Sequence, residues 1–180
     1  MNKPVHWCRY VMDTETKKLL LDINYSELDA LEISGKGWKK FPFKSYVNVT
    51  YPEFDVTNIN EKYINKYNII IAEQVFEHVR NPIKGLENIF SMLKSNGYFL
   101  ISTPFFLKVH AAPDDYWRWT PEGLKSILTD CGFQIIKIDS WGNKECVVAN
   151  LDQWEDLKDG MNLENDPEFP ILVWALAKKV

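Results

Sequence analysis

Ile69, Ile70, Ile71 and Ala72 form an unbroken apolar run inside "KYNIIIAEQVF", closed by Glu73. A run this short, without alternation, suits a strand covered on both faces, the situation of a parallel sheet lying between helices. The flanking sequence agrees. Asn81 and Pro82 read as a helix N-cap and first position, Ile83, Leu86, Ile89, Phe90 and Leu93 recur at helical spacing, and "KSNG" predicts a C-terminal cap at Gly97. "YFLIST" is the next strand, which completes one strand–helix–strand unit.

The remaining segments extend that frame. Asp13 to Leu28 reads as a helix with Leu19, Leu20 and Ile23 on one side, packing at a sheet edge. Ala30 to Ile33 is a short buried strand, and "FKSYVNVTYPEFDV" has alternating strand character closed by Pro52. Thr120, Pro121 and Glu122 open another helix, which ends at "CGF". Phe133 to Ile138 is a strand, residues 141–167 are irregular, and "FPILVWALAKK" is a last apolar strand. No clear helix separates these two strands, so the sheet is expected to finish with an antiparallel partner. The class is α/β, with a mostly parallel sheet covered on both sides.

With 180 residues, close to half of them apolar, the chain can bury a full core, and one domain over 1–180 is expected. Within it, 1–28 is an N-terminal helical segment, 29–140 the core, and 141–180 the irregular segment with the final strand. A net charge of -4 argues against nucleic acid or an acidic membrane as partner. Cys8, Cys131 and Cys146 form no CxxC pair, and His6, His78 and His110 are scattered, so neither disulfides nor a metal are expected. No apolar run approaches the length of a bilayer span and the N-terminus lacks the apolar centre of a secretory signal, so a soluble, cytoplasmic protein is expected.

In a parallel sheet, ligands sit at the C-terminal strand ends, which directs attention to Ser34–Trp38, Thr50–Asp55, Glu73–His78 and Thr103–Arg118. The stretch "ALEISGKGW" leaves a question: Gly35 and Gly37 suit a close-approach turn, while Lys36 and Trp38 are bulky for one. In the last of these segments, "FFLKVHAAPDDYWRWTPEGL", residue types suit an acceptor site. His110 can take a proton at neutral pH, Asp115 can orient an imidazole or ammonium, and Arg118 can hold an anion in bidentate fashion, with Tyr116 as a wall. The bland alternative is that Asp115 and Arg118 pair to stiffen their own loop.

The block "YNIIIAEQVFEHVRNPIKGLENIFSMLKSNGYFLISTP" resembles the second half of the class I S-adenosylmethionine-dependent methyltransferase core. The subgroup it resembles ends its fourth strand in an "EHV" turn and precedes its fifth with "LKPGG", here "LKSNG". The resemblance implies a three-layer Rossmann-like methyltransferase fold, here shortened between the first and fourth strands, with an antiparallel last strand. It also implies S-adenosylmethionine as methyl donor. Donor-contacting positions carried over are Glu32, Ser34, Gly35 and Gly37 in the glycine turn, Thr50 after the second strand, Asp55 near the adenine, and Ala72, Glu73 and Gln74 along the methionine part. Thr50 and Tyr51 stand where the family has an acid for the ribose, with Glu53 as a substitute; Asp55 alternatively caps a turn, and Glu77 and His78 alternatively pin a helix start. The function implied is methyl transfer to a small-molecule or glycan acceptor, most simply O-methylation, with His110 as catalytic base and Asp115, Tyr116 and Arg118 at the acceptor. A degenerate methyltransferase fold serving as a binding or scaffold module is the alternative, and a homodimer is allowed for.

Overall fold

The computed structural model describes residues 5–59 and 61–180; residues 1–4 of the expected N-terminal segment lie outside the described residues. Six strands, β1 (Asp29–Ile33), β2 (Ser45–Val49), β3 (Tyr67–Glu73), β4 (Leu93–Pro104), β5 (Phe133–Trp141) and β6 (Leu172–Lys179), build one sheet in the order β2-β1-β3-β4-β6-β5. β1 to β4 are parallel, and β6 inserts antiparallel to both β4 and β5. The unbroken run in β3 has the meaning expected of it. Ile70 and Ala72 face one layer with Leu31, Ile33, Phe99 and Ile101, while Ile69 and Ile71 face the other with Ala30 and Leu100.

Helices α2 (Pro82–Met92) and α3 (Pro121–Asp130) cover the first face through Leu86, Ile89, Leu124 and Leu128. Both start where the sequence places them: Asn81 accepts from the Lys84 amide at 3.2 Å and Thr120 from the Gly123 amide at 3.1 Å, each satisfying one amide the helix leaves free. Helix α1 (Trp7–Leu21) covers the second face. This corrects the expected Asp13–Leu28 helix, which starts too late and runs on too far. Trp7, Cys8, Val11, Met12, Thr16 and Leu20 are its buried stripe, and their partners Trp141, Leu172 and Trp174 are remote in sequence. Leu20 meets Ala30, Ile69 and Ile71 in the middle of the sheet, not at an edge.

Two more expectations are corrected. α2 ends at Met92 and β4 begins at once, with its ladder to β3 shifted between Tyr67 and Ile69. The left-handed residue there is Asn96, not Gly97; a Cβ at Gly97 would lie 2.8 Å from the Lys94 carbonyl oxygen, so close approach is what demands glycine. The irregular segment 141–167 contains a short helix, α4 (Lys144–Ala149), capped by Asn143, which accepts from Cys146 N at 2.8 Å.

The shortening expected between β1 and β3 is present. Among the described residues, the crossover from β1 to β2 carries no helix and that from β2 to β3 only a 3-10 turn at Glu61–Tyr63. Trp38, Phe41 and Phe43 take the place of a covering helix: their rings pack together, and Trp38 is buried against Leu20, Ile69 and Ile71. No helix among the described residues is long and apolar enough to cross a membrane.

Candidate functional site

The glycine turn is held from beneath by Glu32. Its buried carboxylate accepts from the Gly37 amide at 2.9 Å, the Trp38 amide at 3.1 Å and the Tyr46 hydroxyl at 2.5 Å. Three donors on one carboxylate fix the turn, and Asn48 adds an amide to the Gly35 carbonyl. Burial, together with the Glu32 carboxylate, pushes the Tyr46 phenol well above its ordinary range. Ser34 and Gly35 both lie in the left-handed region, at φ 61° and 74°. The bulk of Trp38 does not obstruct the turn, because its ring lies on the α1 face of the sheet.

Above the tips of β1 and β3 opens a cavity of about 660 Å³ walled by Ile33, Ser34, Tyr51, Phe54, Asp55, Val56, Thr57, Gln74, Val75, His78 and Tyr116, among others. Pockets of about 300–1,000 Å³ hold cofactor-sized molecules. Of the positions carried over for the donor, Ser34, Asp55 and Gln74 stand on this wall. Glu32, Gly35 and Gly37 are the turn's support, exposed Thr50 gives its carbonyl to the Phe54 amide at 2.9 Å, and Ala72 is core. Glu73 turns toward α1, where Arg9 donates at 3.0 Å and Thr16 at 3.2 Å. Burial raises its pKa, against the pull of Arg9. Asp55 also caps its own turn, accepting from the amide and hydroxyl of Thr57 at 2.8 Å each.

Gln74 is the hinge of the site. Left-handed at φ 55°, it donates from its backbone to Ser102 O at 2.9 Å and from its side chain to Ser102 Oγ at 3.2 Å. Beyond it lies a second pocket of about 250 Å³, where Gln74 meets Arg9, Leu107, His110 and Trp154. Arg9 and Trp154 were outside the sequence reading, since α1 starts earlier than expected and Trp154 sits in the segment read as irregular.

The loop after β4 folds onto Glu77, whose carbonyl accepts from the Tyr116 amide at 2.7 Å. This brings His110 beside His78, with ring centroids 5.1 Å apart and edge to face. The expectation of scattered histidines is thereby corrected for these two; His6 stands apart, paired with Asp156 at 3.1 Å. His110 Nδ1 faces the Lys108 carbonyl at 3.2 Å and Asp115 Oδ2 at 3.4 Å, while its Nε2 is 3.8 Å from Glu77 Oε1. The Glu77 carboxylate raises the imidazole's pKa, with burial opposing.

Asp115 and Arg118 realise the bland alternative. They form a bidentate pair, and Arg118 also donates to the carbonyls of Leu107 at 3.3 Å and Lys108 at 3.1 Å. Asp115 accepts from the His110 amide at 2.8 Å, and the Arg118 guanidinium holds its pKa down at about 2. Both are braces of the loop that carries His110, which leaves no free fork for an acceptor anion. Tyr116 faces the large cavity, its hydroxyl donating to Asp114 at 2.9 Å.

A family model described as a methyltransferase domain matches residues 17–138. No curated protein sequence matches the chain. Among solved structures, an S-adenosylmethionine-dependent methyltransferase of Thermotoga maritima superposes with a TM-score of 0.64 at 15% identity, over 95% of this chain and 89% of its own. One from Archaeoglobus fulgidus gives 0.63 at 16%, over 94% of each chain, and one from Mesorhizobium loti 0.62 at 10%, over 92% and 96%. At these identities the likeness speaks for the fold, and the family model, spanning more than half of the chain, speaks for the lineage. The protein belongs to the class I S-adenosylmethionine-dependent methyltransferases, with S-adenosylmethionine as its methyl donor.

Proposed function

We propose that the protein methylates a hydroxyl oxygen of a small-molecule or glycan acceptor, with the donor in the large cavity and the acceptor in the small pocket. The observation that carries this is the shared wall at Gln74, which lines both spaces. In-line transfer needs donor and acceptor on either side of one point, and alignment is the main service a protein renders to it. The residues suit the donor: Phe54 and Val56 offer apolar surface for a base, Asp55 a carboxylate beside it, and Ser34 and Gln74 polar groups at the strand tips. When bound, S-adenosylmethionine supplies an electrophilic methyl on its sulfonium.

His110 is the proposed proton acceptor. With Nδ1–H donated to the Lys108 carbonyl, Nε2 carries the lone pair, and Asp115 and Arg118 hold the loop in register. An acceptor hydroxyl exchanging its hydrogen for the sulfonium's methyl group would pass that proton to Nε2, and Glu77 would stabilise the resulting imidazolium. Calorimetric titration of the folded protein with S-adenosylhomocysteine tests the donor half: a saturable one-to-one isotherm is expected, and no heat at millimolar ligand overturns it. That null result would favour the scaffold alternative, to which exposed Thr50 in place of a ribose-binding acid lends weight.

A further inference from the structure

Glu77 is fully buried, and neither of its carboxylate oxygens has a hydrogen-bond partner among the described residues. Such a group costs several kcal/mol to desolvate unless a cation meets it. What faces it is a pair of imidazoles. His78 Nε2 lies 3.6 Å and His110 Nε2 3.8 Å from Glu77 Oε1, beyond hydrogen-bonding reach. The far side of each ring sets the tautomer of its neutral form: His78 Nδ1 is 2.6 Å from the Asp114 carbonyl and His110 Nδ1 3.2 Å from that of Lys108. A carbonyl only accepts, so each Nδ1 carries a hydrogen, and in the neutral ring each Nε2 presents a lone pair. Three electron-pair donors therefore converge, with ligand atoms all within 4.8 Å of one another.

We propose that Glu77, His78 and His110 bind a divalent cation through one carboxylate oxygen and two imidazole nitrogens, at the junction of the donor and acceptor cavities. Tetrahedral ligands about a zinc-sized ion stand about 3.4 Å apart; the two separations from Glu77 Oε1 are 3.6 and 3.8 Å, and all three ligand atoms lie within 4.8 Å of one another. Carbonyls behind both rings are the usual outer support of metal-bound histidine. A mixed nitrogen and oxygen set suits zinc, iron or nickel better than magnesium or calcium. His78 lines the large cavity and His110 the small one, so an ion between them has a fourth position within reach of an acceptor oxygen. In this form His110 serves as ligand instead of base. The acceptor's proton then leaves to water from the oxygen that the ion polarises. This last consequence rests on the proposed function; the binding site does not.

The test uses the whole chain, stripped with chelator and titrated with Zn2+ against a colorimetric competitor, without donor or acceptor. One Zn2+ per chain is expected, with affinity falling at least about 10-fold in His78→Ala and in His110→Ala. Cys131→Ser, which removes a partly exposed thiol, should change nothing. Zn2+ should also raise the thermal midpoint of the wild type, a readout that survives if a variant fails to fold. No binding up to about 0.1 mM free Zn2+, or binding indifferent to both histidine variants, overturns the proposal. Failure here leaves the donor isotherm untouched, so the two readings fall separately.

Discussion

Glu32→Gln is the sharpest test of how the glycine turn works. The exchange is isosteric, so packing is kept and only the acceptor is altered. A glutamine oxygen facing the Gly37 amide places its NH2 where the Trp38 amide and Tyr46 hydroxyl now donate. The Tyr46 hydroxyl can rotate and accept instead, but the Trp38 amide, on a residue 2% exposed, is left facing another donor. One buried unsatisfied amide costs about 1–3 kcal/mol, and losing the charge on the surviving bonds adds about 1 kcal/mol more. The expected loss is about 2–4 kcal/mol, or a thermal midpoint lowered by about 4–16 °C in a chain of this size. Differential scanning calorimetry reads it, with Tyr46→Phe as a milder companion at about 1 kcal/mol. If Glu32→Gln moves the midpoint by less than about 2 °C, the carboxylate does not hold the turn. If donor affinity collapses while stability is unchanged, Glu32 is a donor ligand and the support argument is refuted.

Three further outcomes follow from the same geometry. Gly142→Ala places a Cβ against the Phe169 carbonyl and 2.5 Å from Ile171 N, both backbone atoms, so more than about 3 kcal/mol should be lost; urea unfolding within about 1 kcal/mol of wild type contradicts the packing described. Arg118→Ala strands Asp115, whose side chain is 2% exposed, and should cost about 3–5 kcal/mol, whereas Arg118→Lys recovers part of it; an unaltered melting curve would mean that the brace is dispensable. Lys94→Met removes the 2.8 Å contact that lowers the Asp29 pKa, chiefly through Lys94 and then Ser45. Because that folded pKa is depressed, the wild type's advantage is full above about pH 4, and it fades as pH falls through the folded pKa. The pair is partly exposed, so the advantage is at most about 1 kcal/mol. A difference growing toward acid reverses the sign and refutes it.

What could be read from the sequence was local. Ile69–Ala72 needs burial on two faces wherever it lies, and Asn81 and Thr120 cap helices through amides three residues on. What could not be read depends on distant partners. The polar stretch around Asp13 hides where α1 begins, because Trp7 and Met12 earn their burial from Trp141 and Trp174 at the far end of the chain. The pairing of His78 with His110 exists only once the loop after β4 closes on the Glu77 carbonyl. Trp38 is the most instructive residue. Beside a glycine turn it looked like an obstruction, since nothing in the sequence says toward which face of the sheet a side chain points after two left-handed residues.

That orientation has a consequence for the enzyme. With Trp38, Phe41 and Phe43 closing the α1 face, the shortened chain has kept its core without the helix that would normally follow the first strand. Between β2 and β3 the described residues supply only the 3-10 turn at Glu61–Tyr63, so the outer wall of the large cavity is formed by Tyr51, 64% exposed, with Phe54 and Val56 behind it. Apolar coverage of a bound base sets much of a cofactor's affinity. Phe54→Ala should therefore weaken donor binding by more than Asp55→Asn. The reverse order in calorimetric titration would mean that the carboxylate, not the apolar wall, anchors the donor.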